Sequence, residues 1–200
     1  RGLGDVYKRQ VYADSLLVSA TTSTCTSVTL PKLKYISASG SFNFYGASLT
    51  NLTFPELTWY GAYPDLNAQY LTTLSFPKLE VANNTLFGSG NYANLTSFSA
   101  PMLKIVSGGI NSSPQATLNA LTQLNLPELV CNGVPTKTIG GSPTYTVSYN
   151  TTVSTTLLTI TSSALTTINM PKLEVMSGVN ISNCPNLVTF TIKSTPKFFW

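Results

Sequence analysis

The sequence predicts an all-β chain wound as a right-handed parallel β-solenoid of about seven or eight coils, on three observations. The phrase Leu165 to Leu173 (LTTINMPKL) recurs as Leu49 to Leu57 (LTNLTFPEL), Leu71 to Leu79 (LTTLSFPKL), Leu95 to Leu103 (LTSFSAPML) and Leu121 to Leu129 (LTQLNLPEL), with Cys25 to Leu33 (CTSVTLPKL) as a variant. The prolines of these copies, Pro31, Pro55, Pro77, Pro101, Pro127 and Pro171, stand 24, 22, 24, 26 and 44 residues apart. Ahead of each proline, apolar and small polar residues alternate with the period of a strand, and no helical period occurs. A unit of 22 to 26 residues has one apolar side and can bury it only against neighbouring units, so the units stack as coils.

Counted from the proline as zero, apolar residues fall at minus 6, minus 3, minus 1, plus 2 and plus 4. The minus 3 column reads Val28, Leu52, Leu74, Phe98, Leu124, Ile168 and Phe190, and the plus 2 column Leu33, Leu57, Leu79, Leu103, Leu129 and Leu173. Both are expected to be core ladders. Proline has no N–H to give a sheet, so it ends the strand. A second strand follows, as in Lys104 to Val106, then a Gly/Asn/Ser turn, a third apolar piece such as Val179 to Asn183, and a turn back through Asn183 to Asn186.

Leu16 to Val18 resembles such a third piece, so the chain enters in mid-coil. The step of 44 from Pro127 to Pro171 equals two units of 22, which predicts a degenerate coil with its strand at Tyr145 to Tyr149. Leu187 to Lys193 fits a last repeat with lysine in place of proline. The most irregular stretches are expected at Val134 to Ser142 and in the turn from Tyr63 to Tyr70.

Composition bounds the class. The chain has 200 residues, 42% of them hydrophobic and 9% charged, which suits one domain with a large core. No apolar run reaches the roughly 20 residues that cross a bilayer, so direct membrane insertion is not expected. Residues 1 to 10 (RGLGDVYKRQ) break the Ser/Thr-rich style and look like a translated sequencing adapter from an environmental assembly. They are set aside as non-native. Residues 11 to 200 are read as a single domain, with the natural N-terminus, and any signal peptide, expected to be missing. Without Arg1, Lys8, Arg9 and Asp5 the net charge of +4 falls to eight basic against six acidic groups, too few and too scattered to follow a nucleic-acid backbone.

The remaining charges concentrate at plus 1 and plus 3. The plus 1 column reads Lys32, Glu56, Lys78, Met102 and Glu128, and Glu80 at plus 3 is followed by Lys104. Coils about 4.8 Å apart would set opposite charges one above another, a structural role for four of the six acids outside the opening. With no histidine in the chain, and carboxylates committed in this way, we expect no catalysis. Cys25, Cys131 and Cys184 are far apart and are expected to be buried or half-buried thiols, with their pairing left open. No metal site and no cofactor are expected.

The unit Leu-x-x-Leu-x-Leu-Pro-x-Leu overlaps the leucine-rich repeat. The run Met170 to Phe190 (MPKLEVMSGVNISNCPNLVTF) resembles the receptor L-domain group, with its fungal cell-wall members, and more distantly the BspA-like bacterial surface repeats. That resemblance, over about residues 15 to 193, implies a leucine-rich solenoid at an extracellular or virion surface. It does not choose among receptors, wall proteins and adhesins.

The outward minus 4 and minus 2 columns are the candidate binding face: Thr29, Asn51, Thr53, Thr73, Ser75, Ser97, Ser99, Gln123, Asn125, Thr167 and Asn169. Such a sheet of hydroxyls and amides can hydrogen-bond a cell-surface glycan or protein, although exposed strands also favour Thr and Ser for local reasons. Trp59, Tyr60 and Tyr63, with Tyr70, are candidate stacking aromatics, which could equally pack their own turn. Asn51, Asn83, Asn94, Asn111, Asn150 and Asn180 begin Asn-x-Ser/Thr sequons, close to the number chance would give. The expected function is non-catalytic recognition or adhesion. A spacer in a surface fibre is the alternative, and an ice-binding lattice a third reading, weakened by the mixing of Thr with Ser, Asn and Gln.

Overall fold

The computed structural model describes residues 11–20, 24–46, 48–67, 69–88, 90, 92–110, 118–132, 158–176, 179–193 and 197–198. Each coil lays down short strands that pair in parallel with the equivalent strands of the coils before and after. The result is an all-β parallel β-solenoid of about 6 turns, with no helix among the described residues. Residues 1 to 10, the Tyr145 to Tyr149 strand and the Val134 to Ser142 stretch lie outside the described residues.

Post-proline strands form one continuous sheet of eight: Tyr12–Ala13, Tyr35–Ile36, Trp59–Tyr60, Val81–Ala82, Ile105–Val106, Cys131–Asn132, Val175–Met176 and Lys197–Phe198. Pre-proline strands form two ladders. Ser27–Thr29, Asn51–Thr53, Thr73–Ser75 and Ser97–Ser99 make the first, and Gln123–Asn125, Thr167–Met170 and Thr189–Ile192 the second. A third set joins Leu16–Ala20, Phe42–Gly46 and Pro64–Asn67, and separately Leu158–Thr161 with Val179–Ser182. Pro64–Asn67 therefore corrects the expectation of an irregular turn from Tyr63 to Tyr70. Pro64 and Leu66 are buried and alternate with Asp65 and Asn67, so two inward anchors hold this stretch extended.

The conserved spacing around the prolines has a local cause. In six coils the N–H at plus 2 donates to the carbonyl at minus 1: Leu33 to Leu30, Leu57 to Phe54, Leu79 to Phe76, Leu103 to Ala100, Leu129 to Leu126 and Leu173 to Met170, at 3.1 to 3.4 Å. Proline thus takes the second position of a β-turn, where its fixed φ is pre-set and its missing N–H is not needed. The turn swings plus 2 back into the core. Leu33, Leu57, Leu79, Leu103, Leu129 and Leu173 are all essentially inaccessible.

Strand alternation then places plus 5, and not plus 4, on the main core: Ile36, Tyr60, Ala82, Val106 and Met176 are buried there, with Asn132 as a buried amide in the same column. The plus 4 residues point to the other side of the sheet, where Val81 and Ile105 form a separate cluster against Trp59 and Cys131. Leu52, Leu74, Leu124 and Ile168 of the minus 3 column are fully buried. Val28 and Phe98 are only half-buried, and Phe190 is 40% exposed. Each of the three sits on an end strand of a pre-proline ladder among the described residues, a place that Leu124 shares while remaining buried. Cys25 is exposed on the first of these rungs, against the expectation of burial.

The Pro127 and Pro171 rungs, 44 residues apart, are direct neighbours. Gln123, Leu124 and Asn125 pair directly with Thr167, Ile168 and Asn169, and Cys131 and Asn132 with Val175 and Met176. The degenerate coil expected between the Pro127 and Pro171 rungs therefore does not separate them, because their strands pair with each other. Lys172 confirms the adjacency by reaching Glu128 at 2.7 Å. Lys78 meets Glu56 at 2.7 Å, Lys104 meets Glu80 at 3.0 Å, and Lys193 pairs with Glu174. The expected charge ladders are real, though half-exposed pairs contribute only about 0.2–1 kcal/mol each.

A further column fastens the coils. Position minus 5 is threonine in Thr26, Thr50, Thr72, Thr96, Thr122 and Thr166. The Thr50 hydroxyl donates to the Thr26 carbonyl at 2.9 Å, Thr72 to Thr50 at 3.1 Å, Thr96 to Thr72 at 3.2 Å and Thr166 to Thr122 at 3.0 Å. Each of these carbonyls also accepts two backbone N–H groups from the next coil, as Thr26 does from Thr50 and Asn51. Replacing Thr72 by Val keeps the branched shape and removes the hydroxyl, so unfolding in urea should show a loss of about 1 kcal/mol. An unchanged midpoint would mean that the hydroxyl column fastens nothing.

Candidate functional site

The candidate face is the outer side of the pre-proline ladders. Inward Leu52, Leu74, Leu124 and Ile168 fix the phase of their strands, and the two neighbours of each are turned outward. Register then aligns them in columns. Ser27, Asn51, Thr73 and Ser97 form one line, and Thr29, Thr53, Ser75 and Ser99 run beside it. In the second ladder Gln123, Thr167 and Thr189 are aligned, as are Asn125, Asn169 and Thr191.

The expected site residues are thus brought together, but in two blocks. The ladder order breaks between Ser97–Ser99 and Gln123–Asn125, while the post-proline sheet runs on through Ile105–Val106 and Cys131–Asn132. The residues flanking the break, Ser97, Ser99, Gln123 and Asn125, are exposed, whereas Asn51, Thr53, Thr73 and Ser75 are half-buried. Two amides are engaged locally: Asn169 Nδ2 donates to Asn125 Oδ1 at 2.8 Å, and Asn51 Nδ2 donates to Thr50 Oγ1 at 2.9 Å.

No family model, curated protein or solved structure matches the chain.

The aromatic trio does not form one surface. Trp59 and Tyr60 are adjacent on a strand and so face opposite sides of the sheet. Tyr60 is 1% exposed, with its ring 5.3 Å from Phe42 and its hydroxyl donating to the Thr85 carbonyl at 2.8 Å. It is a core residue and cannot stack on a ligand. Trp59 lies half-buried on the outer satellite cluster, over Gly61, where an added Cβ would come within 2.5 Å of the indole. Tyr63 is 40% exposed on a different face, and Tyr70 is exposed in the turn that follows.

Cys25, Cys131 and Cys184 are not joined in disulfides. Among the described residues no group of three or more Cys, Asp or Glu side chains is placed to hold a metal ion. Of the sequons, Asn94 and Asn180 are exposed, Asn51 and Asn83 are half-buried, and Asn111 and Asn150 lie outside the described residues.

Burial pushes the Tyr60 phenol well above its ordinary 10.0, with the neighbouring Tyr92 adding to the shift, and burial likewise raises Tyr92. The folded state therefore holds these protons when the unfolded chain releases them. Their contribution to stability is complete below pH 10.0 and declines as pH rises above it. In an alkaline titration, Tyr60 and Tyr92 should yield phenolate absorbance only together with loss of the β-sheet circular dichroism. Full ionisation of all tyrosines with the sheet signal intact would contradict their burial.

Proposed function

We propose that this chain is a non-catalytic recognition module of the leucine-rich type, wound right-handedly, that acts at an extracellular or virion surface. It binds a glycan or protein partner through the minus 4 and minus 2 columns. The observation that carries this reading is a division of labour among the columns. Core leucines, the minus 5 threonines and the plus 1 and plus 3 ion pairs hold the coils together. The outward hydroxyls of Thr53, Thr73, Ser75, Ser97 and Ser99 are left in register on an accessible sheet. Donors and acceptors spaced about 4.8 Å apart on a rigid support can form several hydrogen bonds to one partner at little entropic cost.

Four glutamates, Glu56, Glu80, Glu128 and Glu174, are held in ion pairs, which supports reading them as structural groups. A spacer role is the second reading, favoured by the continuous eight-stranded sheet, which suits a stiff rod. The division of the outer columns into two blocks weighs against an ice-binding lattice, which needs unbroken regularity.

The test is retention of the chain on cell surfaces and on an oligosaccharide and protein panel. Changing Thr53, Ser75 and Ser99 together to Ala should reduce retention by about tenfold or more, as for the loss of one or two net hydrogen bonds, with thermal stability little altered. Equal retention by the triple variant would remove these columns from the binding surface, and no retention by the parent chain would favour the spacer.

A further inference from the structure

The outer side of the third ladder carries a side-chain cluster that neither the coil repeat nor the candidate face uses. Leu16–Ala20, Phe42–Gly46 and Pro64–Asn67 pair in register, so Leu17, Asn43 and Asp65 form one outward column and Ser19, Tyr45 and Asn67 the next. Their inward alternates Phe42, Phe44 and Leu66 are buried and lock the phase. Tyr45 and Asp65 lie on a diagonal of this grid, and the Tyr45 hydroxyl donates to Asp65 Oδ2 at 2.7 Å. Asn43 and Asn67 occupy the other two corners of the same square.

We propose that Asn43, Tyr45, Asp65 and Asn67 form a second binding site, for a neutral saccharide. The diagonal hydrogen bond fixes the Tyr45 ring across the square, so a half-buried aromatic surface is pre-positioned for the apolar face of a sugar ring. Asp65 is half-buried and has no lysine partner in the four ion pairs, unlike the glutamates of the ladders. Its carboxylate can accept two hydroxyls of a vicinal diol, and the flanking amides both donate and accept. Leu17, 54% exposed at the end of the same column, extends the apolar side.

The same chemistry argues against other ligands. An anion would be repelled by Asp65, and a metal ion would find a single carboxylate. Strand addition by a peptide is closed off at the Pro64–Asn67 edge. There the chain of the next coil approaches so closely that a Cβ on Gly88 would lie 1.7 Å from the Pro64 carbonyl oxygen, and one on Gly90 would lie 2.8 Å from that of Leu66. The bond to Asp65 also raises the Tyr45 phenol above its ordinary value, which keeps the hydroxyl protonated as a donor.

This site rests on the reading of the chain as a recognition module but uses a different face, so the two can fail separately. The full chain is applied to a printed array of neutral, amino and acidic oligosaccharides, and the strongest neutral binder is carried into calorimetric titration. Tyr45→Ala and Asp65→Asn should each lower affinity for it by about tenfold or more, the effect of losing a stacked ring or a charge-assisted bond. Tyr45→Phe, which keeps the ring, should lose less, and the Thr53, Ser75 and Ser99 triple variant is titrated alongside to show whether the same saccharide uses the first face. Each variant is compared only if its β-sheet circular dichroism and melting temperature match the parent, and Tyr45→Phe and Asp65→Asn are near-isosteric for that reason. The proposal is overturned if no neutral oligosaccharide binds, if only acidic ones bind, or if binding survives both Tyr45→Ala and Asp65→Asn. Loss confined to the triple variant would also overturn it while leaving the first face standing.

Discussion

Everything in this molecule depends on the in-register parallel stacking of one coil on the next. A coil of this length has too little apolar surface to hold its own backbone in place, so it is ordered only by the rungs above and below. Register is what makes that support cumulative. Each column then presents like to like, leucine over leucine at minus 6 and plus 2, threonine over threonine at minus 5, and glutamate against lysine at plus 1. A slip of one residue would turn Leu52 or Leu74 to solvent and Thr53 or Ser75 into the core, and would break the Thr–carbonyl bonds as well. Burial, hydrogen bonding and charge all specify the same alignment.

Much of this order can be read from residues. The minus 3 and plus 2 leucines announce a core by recurring around prolines, and the alternating charges of Glu56 and Lys78, or Glu80 and Lys104, announce which coils touch. The direct pairing of the Pro127 and Pro171 rungs is harder to see, because a step of 44 residues equals two units of 22 and invites division by two. The corrective signal is the plus 1 column, which keeps alternating only if Lys172 follows Glu128 directly. The turn at proline shifts the phase of the strand that follows, so that plus 5 faces the main core while the apolar plus 4 residues Val81 and Ile105 pack on the other side of the sheet. The minus 5 threonines were legible in principle as an unvarying column, but in a chain so rich in Ser and Thr the type alone did not stand out.

The candidate sites divide along the same line. The minus 4 and minus 2 residues follow from strand alternation and are visible in any single repeat. The square of Asn43, Tyr45, Asp65 and Asn67 is not, because it lies outside the repeated phrase and exists only once Phe42–Gly46 and Pro64–Asn67 are paired. Tyr60 shows the converse. Its neighbours Trp59 and Tyr63 suggested an aromatic surface, yet alternation on a two-residue strand sends it inward to the Thr85 carbonyl. Repetition thus builds the support, and departures from it in the third ladder supply distinctive chemistry.

The central claim, that the Pro127 and Pro171 coils are direct neighbours, can be tested by cross-linking. With Cys25, Cys131 and Cys184 replaced by Ser, Gln123→Cys and Thr167→Cys are combined in one chain, and Gln123→Cys and Tyr145→Cys in another. Adjacent rungs set Cα atoms at about the 4.4–6.8 Å that a disulfide requires. Mild oxidation followed by mass spectrometry should show a disulfide in the 123–167 chain with its β-sheet signal intact. A disulfide in the 123–145 chain alone would show that a further coil stands between the two rungs and would contradict the stacking described.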